Sequence, residues 1–356
     1  MNLQKISDPK LLAQIIFERS RLQMGDIVEK REKIYPITEH LEHLFTLGEN
    51  LEQVIEHLHT LNGVGEECYR VVSMPIEGQP RQVLMLVPPD VFDPTDPWGR
   101  IFRRGLAQIE LYGKTLFNPG GGSGADIIQM IQSGHTPRRI VYNDIDPHVA
   151  RVAQLNIERI CGHCIRRNSI DLEFRVGDAA DILSLVELAG KFDYILGCLP
   201  QVPADGDNLL IGQRLAHQYD DNRHHDLHKW GLGLLADIKK AGRRALKANG
   251  RFVLVHSGRD PMAARAAMDE LAGCREESIL HEEMVLHHAG TPLQYLFSHL
   301  DQAQLFSDPA GRQRLNPQEA ELLREKYASK KIAKEAYNIF HKVLVVSSQP
   351  HHNGSS

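Results

Sequence analysis

The segment Asn118-Pro119-Gly120-Gly121-Gly122-Ser123-Gly124 follows the apolar run Thr115-Leu116-Phe117 and opens a helical stretch, Ala125 to Ile131. Glycines at 120, 122 and 124 let a strand-to-helix turn close tightly and let a ligand approach the backbone. Asp144 ends the next apolar run, Arg139-Ile140-Val141-Tyr142-Asn143, where a carboxylate can accept both ribose hydroxyls of a nucleoside. Pro147 then starts a helix whose Val149, Val152, Ala153, Asn156 and Ile160 recur at helical spacing, completing a βαβ unit. In Gly177-Asp178-Ala179, Asp178 closes the third strand and can accept a hydrogen bond from the exocyclic amine of adenine, the alternative being a turn-capping Asp. Together these residues predict a nucleoside-cofactor site.

The dinucleotide fingerprint needs a glycine at 125 or 127, where the chain has Ala125 and Ile127. The spacing fits S-adenosylmethionine instead. The expected cofactor residues are Asn118, Gly120, Gly122, Gly124, Asp144, Ile145, Asp178 and Ala179. Asn118 stands where this methyltransferase class often has an acid for the cofactor's amino end, a departure that leaves the amino-group partner open.

These residues need a scaffold of alternating strands and helices. Residues 115–117, 139–143, 172–176, 192–197 and 251–256 read as strands, with helices at 125–132, 147–160, 231–246 and 261–272. Such alternation predicts a doubly wound, Rossmann-like α/β sheet with helices on both faces. Ile279 to Leu286 supplies a sixth strand and Val343 to Val346 a seventh, with a helical insertion, 293–341, before the last strand. Ahead of the 65–348 domain, residues 1–64 read as a helical appendage: Asp8-Pro9 is a capped start, and Leu11, Leu12, Ile15 and Ile16 share one face. Residues 70–72 and 82–87 are strand-like, Pro88 to Trp98 reads as a loop, and 349–356 as a disordered tail.

The 356 residues, 42% hydrophobic, can bury a large core, and the net charge of −5 gives no support to duplex nucleic acid as main partner. No apolar run long enough to span a membrane occurs, and no secretory signal is read, so a cytoplasmic enzyme with a small-molecule substrate is expected. Five cysteines suggest reduced thiols. Cys161-Gly162-His163-Cys164 has no second C-x-x-C partner, so it reads as a helix end followed by a loop rather than a metal site.

The fourth strand runs into Gly197-Cys198-Leu199-Pro200-Gln201, at the carboxyl end of the sheet where such folds bind ligands. Amide- and base-modifying methyltransferases have Asn-Pro-Pro-Tyr or Asp-Pro-Pro-Tyr here. Cys198 and Gln201 replace the polar first residue and the aromatic, which fits a planar amide or base poorly. This turn, the later Gly231-Leu232-Gly233-Leu234-Leu235 and Val87-Pro88 with its loop resemble the methyltransferase domain of methionine S-methyltransferase over about residues 65–347. The resemblance implies methyl transfer from S-adenosylmethionine to the thioether of methionine or a close small thioether. The aminotransferase-like second half of the plant enzymes is missing.

A thioether has no proton to lose, so no general base is required; positioning, exclusion of water and tolerance of a sulfonium are. A free amino acid also needs an anchor for its ammonium and another for its carboxylate, the latter best supplied by an arginine. The expected acceptor residues are Cys198, Leu199, Pro200, Gln201, Tyr219, Asp220, Trp230 and Arg259, with Asp221, Tyr295 and Tyr337 nearby in reach of the argument. Tyr219 or Trp230 could face a sulfonium by cation–π attraction. Two alternatives stay open: an N-methyltransferase acting on a protein glutamine or other small metabolite, and a non-catalytic cofactor-binding regulatory module.

Overall fold

In the computed structural model the residues described are 70–87, 91–201, 227, 230–286, 303–328 and 339–351. The predicted helices within 1–64, Tyr219, Asp220, Asp221, Tyr295, Tyr337 and most of the predicted insertion lie outside them. The described chain is ordered β1 (Arg70–Pro75), β2 (Gln82–Val87), α1 (Pro97–Leu106), β3 (Thr115–Asn118), α2 (Ala125–Gln132), β4 (Arg139–Asp144), α3 (Pro147–Arg167) and β5 (Asp171–Val176). It continues through α4 (Ala179–Leu183), β6 (Phe192–Gly197), α5 (Gly233–Ala245), β7 (Leu246–Ser257), α6 (Met262–Ala272), β8 (Cys274–Leu286), α7 (Pro317–Ala328) and β9 (Phe340–Pro350).

Seven strands form one sheet in the order β5-β4-β3-β6-β7-β9-β8, and β1 pairs with β2 in a separate antiparallel ribbon. The large sheet is the seven-stranded, Rossmann-like α/β sheet predicted from the alternation. Only β9 runs against its neighbours, pairing antiparallel with both β7 and β8. The chain divides into two compact units. The first holds residues up to Asp96 with Gly121–Gly177, the second Pro97–Gly120 with Asp178 onward.

In the first unit, β4 pairs in parallel with β5. Nearly all of β4 is buried, as expected of a parallel strand covered on both faces, whereas β5 is partly exposed along its length. In the second unit, the two faces of the sheet can be told apart from two glycines. A Cβ at Gly105 of α1 would lie 2.6 Å from Val345 Cγ1, and one at Gly242 of α5 would lie 2.5 Å from Ile195 Cδ1 and 2.8 Å from Phe252 Cε1. Val345 pairs with Val255, an odd number of residues from Phe252, so the two side chains point to opposite faces. Helices α1 and α5 therefore cover opposite sides, and each approaches through a glycine that lets its backbone close on the strands.

Several boundaries differ from those read in the sequence. Helix α1 begins at Pro97, inside the stretch assigned to a loop. The proline cluster concealed a start signal, since proline is at home in the first helical turn, and Ile101, Phe102 and Leu106 form the buried stripe behind it. Helix α3 continues to Arg167, so Cys161 to Cys164 are helical rather than a helix end and loop. Leu305 and Phe306 are extended, Phe306 bridging Arg314 and Phe340, where a helix was predicted. Strand β9 carries on through Gln349 and Pro350, which pair with Arg275 and Cys274, residues assigned to the tail. Among the described residues no helix is long and apolar enough to cross a membrane.

Helices α5 and α6 are joined by a buried ion pair, Lys239 Nζ to Asp269 Oδ1 at 2.5 Å, with the lysine side chain 0% and the aspartate 10% exposed. Removing one partner strands the other charge away from water, whereas replacing both with apolar groups does not. Lys239→Ala should destabilise the protein by about 3–5 kcal/mol. Lys239→Met combined with Asp269→Leu should lose much less. Urea unfolding of the two variants checks this, and equal losses would show that the packing of α5, not the stranded charge, dominates.

Candidate functional site

In the first unit, the glycine turn is fixed by backbone geometry. Gly124 is left-handed, with φ 82° and ψ 11°, and a Cβ there would lie 2.9 Å from Ile157 Cδ1. Both facts demand glycine. Gly124 N–H donates to Gly121 O at 3.0 Å, and Gly121 N–H donates to Asn143 O at 2.9 Å, which ties the turn to β4. Asn156, fully buried in α3, donates through Nδ2 to Ser123 O and Leu86 O, and its Oδ1 accepts from Leu86 N–H. One helical side chain thus holds both the turn and strand β2.

Asp144 lies at the end of β4, 8% exposed. Its Oδ2 accepts from Gly122 N–H at 3.1 Å and its Oδ1 from Asp146 N–H at 3.1 Å. A carboxylate has about four acceptor positions, so each oxygen keeps capacity for a hydroxyl donor. Burial raises its pKa, and the N–H groups of Asp146 and Gly122 pull it back. Tyr142 was not foreseen: its hydroxyl donates to Gly122 O at 2.7 Å. Burial, reinforced by Asp144, pushes the phenol well up, so it remains a donor. Ile145, next to Asp144, is half-buried.

In the second unit, Asn118 is buried at the end of β3. Its Nδ2 donates to Leu196 O at 2.9 Å, and its Oδ1 has no hydrogen-bond partner among the described residues. Gly120 has φ 55°, and a Cβ there would lie 2.8 Å from Leu199 Cδ2. The first glycine of the loop and the turn after β6 therefore pack directly. Leu199 is buried, while Cys198 and Pro200 are half-buried. Asp178 accepts from Ala180 N–H at 2.8 Å and Asp181 N–H at 3.2 Å, both through Oδ1, so it caps α4, with half-buried Ala179 as the first helical residue. The cap is made through one carboxylate oxygen.

Two of the expected acceptor residues are engaged within the fold. Gln201 Nε2 donates to Val255 O at 2.7 Å and its Oε1 accepts from Ser257 N–H at 2.9 Å, so the amide is committed to β7 rather than directed at a ligand. Trp230 is 1% exposed, a packing residue ahead of α5 rather than an open aromatic face. Arg259, 2% exposed, donates from Nη2 to Gln201 O and sits 6.0 Å over the Trp98 ring. Beside it is Asp260, which the sequence reading passed over although it directly follows Arg259. Asp260 is fully buried, and neither carboxylate oxygen has a hydrogen-bond partner among the described residues. Burial pushes its pKa up to about 7, against the pull of Arg259 and Arg265. His256 is also buried, with neither ring nitrogen bonded among the described residues, and burial together with Lys239 and Arg265 holds it well below the usual histidine value, hence neutral.

No protein-family model matches the chain, and no curated protein does. Solved structures overlap it at low identity. YcgJ from Bacillus subtilis is 14% identical, covering 70% of this chain and 99% of its own, with a TM-score of 0.38. A TehB-like SAM-dependent methyltransferase from Corynebacterium glutamicum is 13% identical over 68% of this chain and 85% of its own, with a TM-score of 0.32. The [4+2]-cyclase SpnF is 13% identical over 73% and 86%, with a TM-score of 0.38. At these values the likeness carries no argument, and the fold rests on the strand order.

The carboxyl of Asp260 has a folded pKa of about 7 against an ordinary 3.8. Because the folded value is the higher one, its neutral form is favoured in the native state. Its contribution to stability is intact below about pH 4 and is lost as pH rises through about 7. At roughly 1.4 kcal/mol per pKa unit the loss is about 4 kcal/mol. Asp260→Asn should flatten stability across that window, as read by urea unfolding at a series of pH values. An unchanged slope would mean that Asp260 is not the titrating group.

Proposed function

We propose that this protein binds S-adenosylmethionine and transfers its methyl group to the thioether sulfur of L-methionine, or of a close small thioether, giving S-methylmethionine. The observation that carries the cofactor reading is Asp144, oriented by Gly122 and Asp146 N–H groups with acceptor capacity left over for a ribose. The other groups expected at the cofactor are each chemically suited to one part of it. Asn118 Oδ1 is a buried acceptor without a donor among the described residues, matched to the ammonium of the cofactor's amino end. Asp178 keeps Oδ2 outside its capping bonds for the adenine amine, beside Ala179, and Ile145 adds apolar surface next to the ribose acid. When bound, S-adenosylmethionine supplies an electrophilic methyl on a sulfonium.

The acceptor reading rests on the turn Cys198 to Gln201. A planar amide substrate needs polar groups there that grip its nitrogen, and Gln201 spends its amide on Val255 and Ser257. Leu199 and Pro200 leave an apolar lining that keeps water from a reacting sulfur. A thioether requires no base, which agrees with a neutral, buried His256. Arg259 is the carboxylate anchor of this proposal: its guanidinium is buried and pinned by Gln201 O.

Incubation with S-adenosylmethionine and L-methionine should yield S-methylmethionine by mass spectrometry, undiminished by chelators. Methylation of a peptide amide with no sulfonium product would transfer the case to the N-methyltransferase reading, and cofactor binding without turnover of any acceptor to the regulatory module. Asp144→Ala should weaken cofactor binding by about 1.5–3 kcal/mol in calorimetric titration, through loss of charge-assisted hydrogen bonds to the ribose. A folded variant that binds as tightly as the parent would remove Asp144 from the site.

A further inference from the structure

Among the described residues of the second unit, Asp260 is a buried carboxyl group for which no hydrogen-bond donor is provided. It is 0% exposed, and no donor among the described residues reaches either carboxylate oxygen. Burial of such a group without donors is costly, and native folds rarely leave it so unless a ligand completes it. The charged groups that face it are Arg259 and Arg265, acting through their field: Arg259 Nε is 3.9 Å from Oδ1, beyond hydrogen-bond reach. Neutral His256 lies on the strand just before. A helix does not consume the carboxylate either, since α6 begins at Met262 with Pro261 as its cap and no side-chain capping bond.

Its location ties it to the acceptor turn. Gln201 at the end of that turn accepts Ser257 N–H, and Arg259 donates to Gln201 O. Asp260 is the next residue. The chain therefore presents a buried guanidinium and a buried carboxyl group on consecutive residues beside the turn expected to hold the thioether, and an ammonium brought against that carboxyl favours its ionised form. An α-amino acid carries its own opposite charges on two groups attached to one carbon. We infer that Asp260 is the specificity-determining residue for the acceptor: it binds a primary ammonium while Arg259 takes the neighbouring carboxylate, so that zwitterionic thioethers are selected. This rests on the acceptor reading proposed above. Net neutrality matters here, because the two arginines would repel a simple amine but not a zwitterion whose carboxylate one of them pairs.

The full-length protein with S-adenosylmethionine is assayed on L-methionine and on its 2-hydroxy analogue, which keeps the thioether and carboxylate and replaces the ammonium by a hydroxyl. The wild type should prefer methionine by about a hundredfold or more in kcat/KM, since an analogue that leaves a buried charge unpaired is rejected strongly. Asp260→Asn should lower that preference at least about tenfold, through the KM of methionine, with cofactor affinity unchanged. If Asp260→Asn does not fold, Asp260→Glu serves, and it should raise the methionine KM while retaining the order of preference. A wild type that uses both compounds equally, an asparagine variant with the parental preference, or a glutamate variant with the parental KM would each overturn the inference and leave the acceptor reading standing. Turnover of neither compound would overturn the acceptor reading and this inference with it.

Discussion

The N–H of Gly122 is held by the carboxylate of Asp144, at the end of the neighbouring strand β4. Much of the first unit is arranged around that bond. Gly121 N–H fastens the same turn to Asn143 O, Tyr142 caps Gly122 O, and Asn143 Nδ2 reaches on to Gly177 O at the end of β5. Three consecutive residues of β4 thus bond to the turn or to the end of β5, the side chains of all three taking part or their backbone doing so. A carboxylate aimed in this way cannot rotate without breaking a backbone bond. Any hydroxyl pair that it receives is met by fixed acceptors rather than by groups that must first reorganise.

The same economy of motion governs the second unit by different means. At the turn after β6, position is set by close packing and by a side-chain amide instead of a charge. Gly120 admits Leu199, Gly197 lies under Pro119 O, and Gln201 bonds to β7 at both ends of its amide. Gln201 acts as an extra rung between the turn and β7, which explains a residue type that makes little sense as a ligand contact. Arg259 then braces the turn from the far side while lying across Trp98. The turn is held by packing and by backbone-directed bonds, and Leu199 and Pro200 make its surface largely apolar, as the proposed transfer of a methyl group to a thioether would need.

What could be read in the sequence and what could not divide along a physical line. Strands β3, β4 and β6 and helix α2 were legible because local pattern and tertiary placement agree: a short apolar run bounded by turn residues is also what a buried parallel strand needs. The glycine turn and Asp144 were legible for a similar reason, since left-handed backbone and a strand-ending acid leave marks on residue type. Helix α1 was hidden because prolines signal a loop and a helix start alike. The end of α3 was hidden by a C-x-x-C pattern that suggests chemistry, where the structure uses Cys161 as a buried residue accepting a hydrogen bond from Gln132. Gln201 and Trp230 were named as ligand residues because sequence gives proximity to a turn but not the direction of a side chain.

Asp260 shows the limit most sharply. An Arg-Asp dipeptide after a strand reads as a surface pair that satisfies itself, and surface pairs carry little weight. Burial reverses its meaning, because two opposite charges taken out of water must each find near-ideal partners or remain a standing cost. Here Arg259 has turned to Gln201 O, and its Nε stays 3.9 Å from Asp260 Oδ1. The geometry therefore separates two charges that sequence would pair. Among the described residues the carboxylate is left with no hydrogen-bond donor and only this long ion pair, while the guanidinium holds the turn after β6. A purely structural position would accept asparagine or leucine at lower cost, and that cost is what supports the reading of Asp260 as an acceptor anchor proposed above.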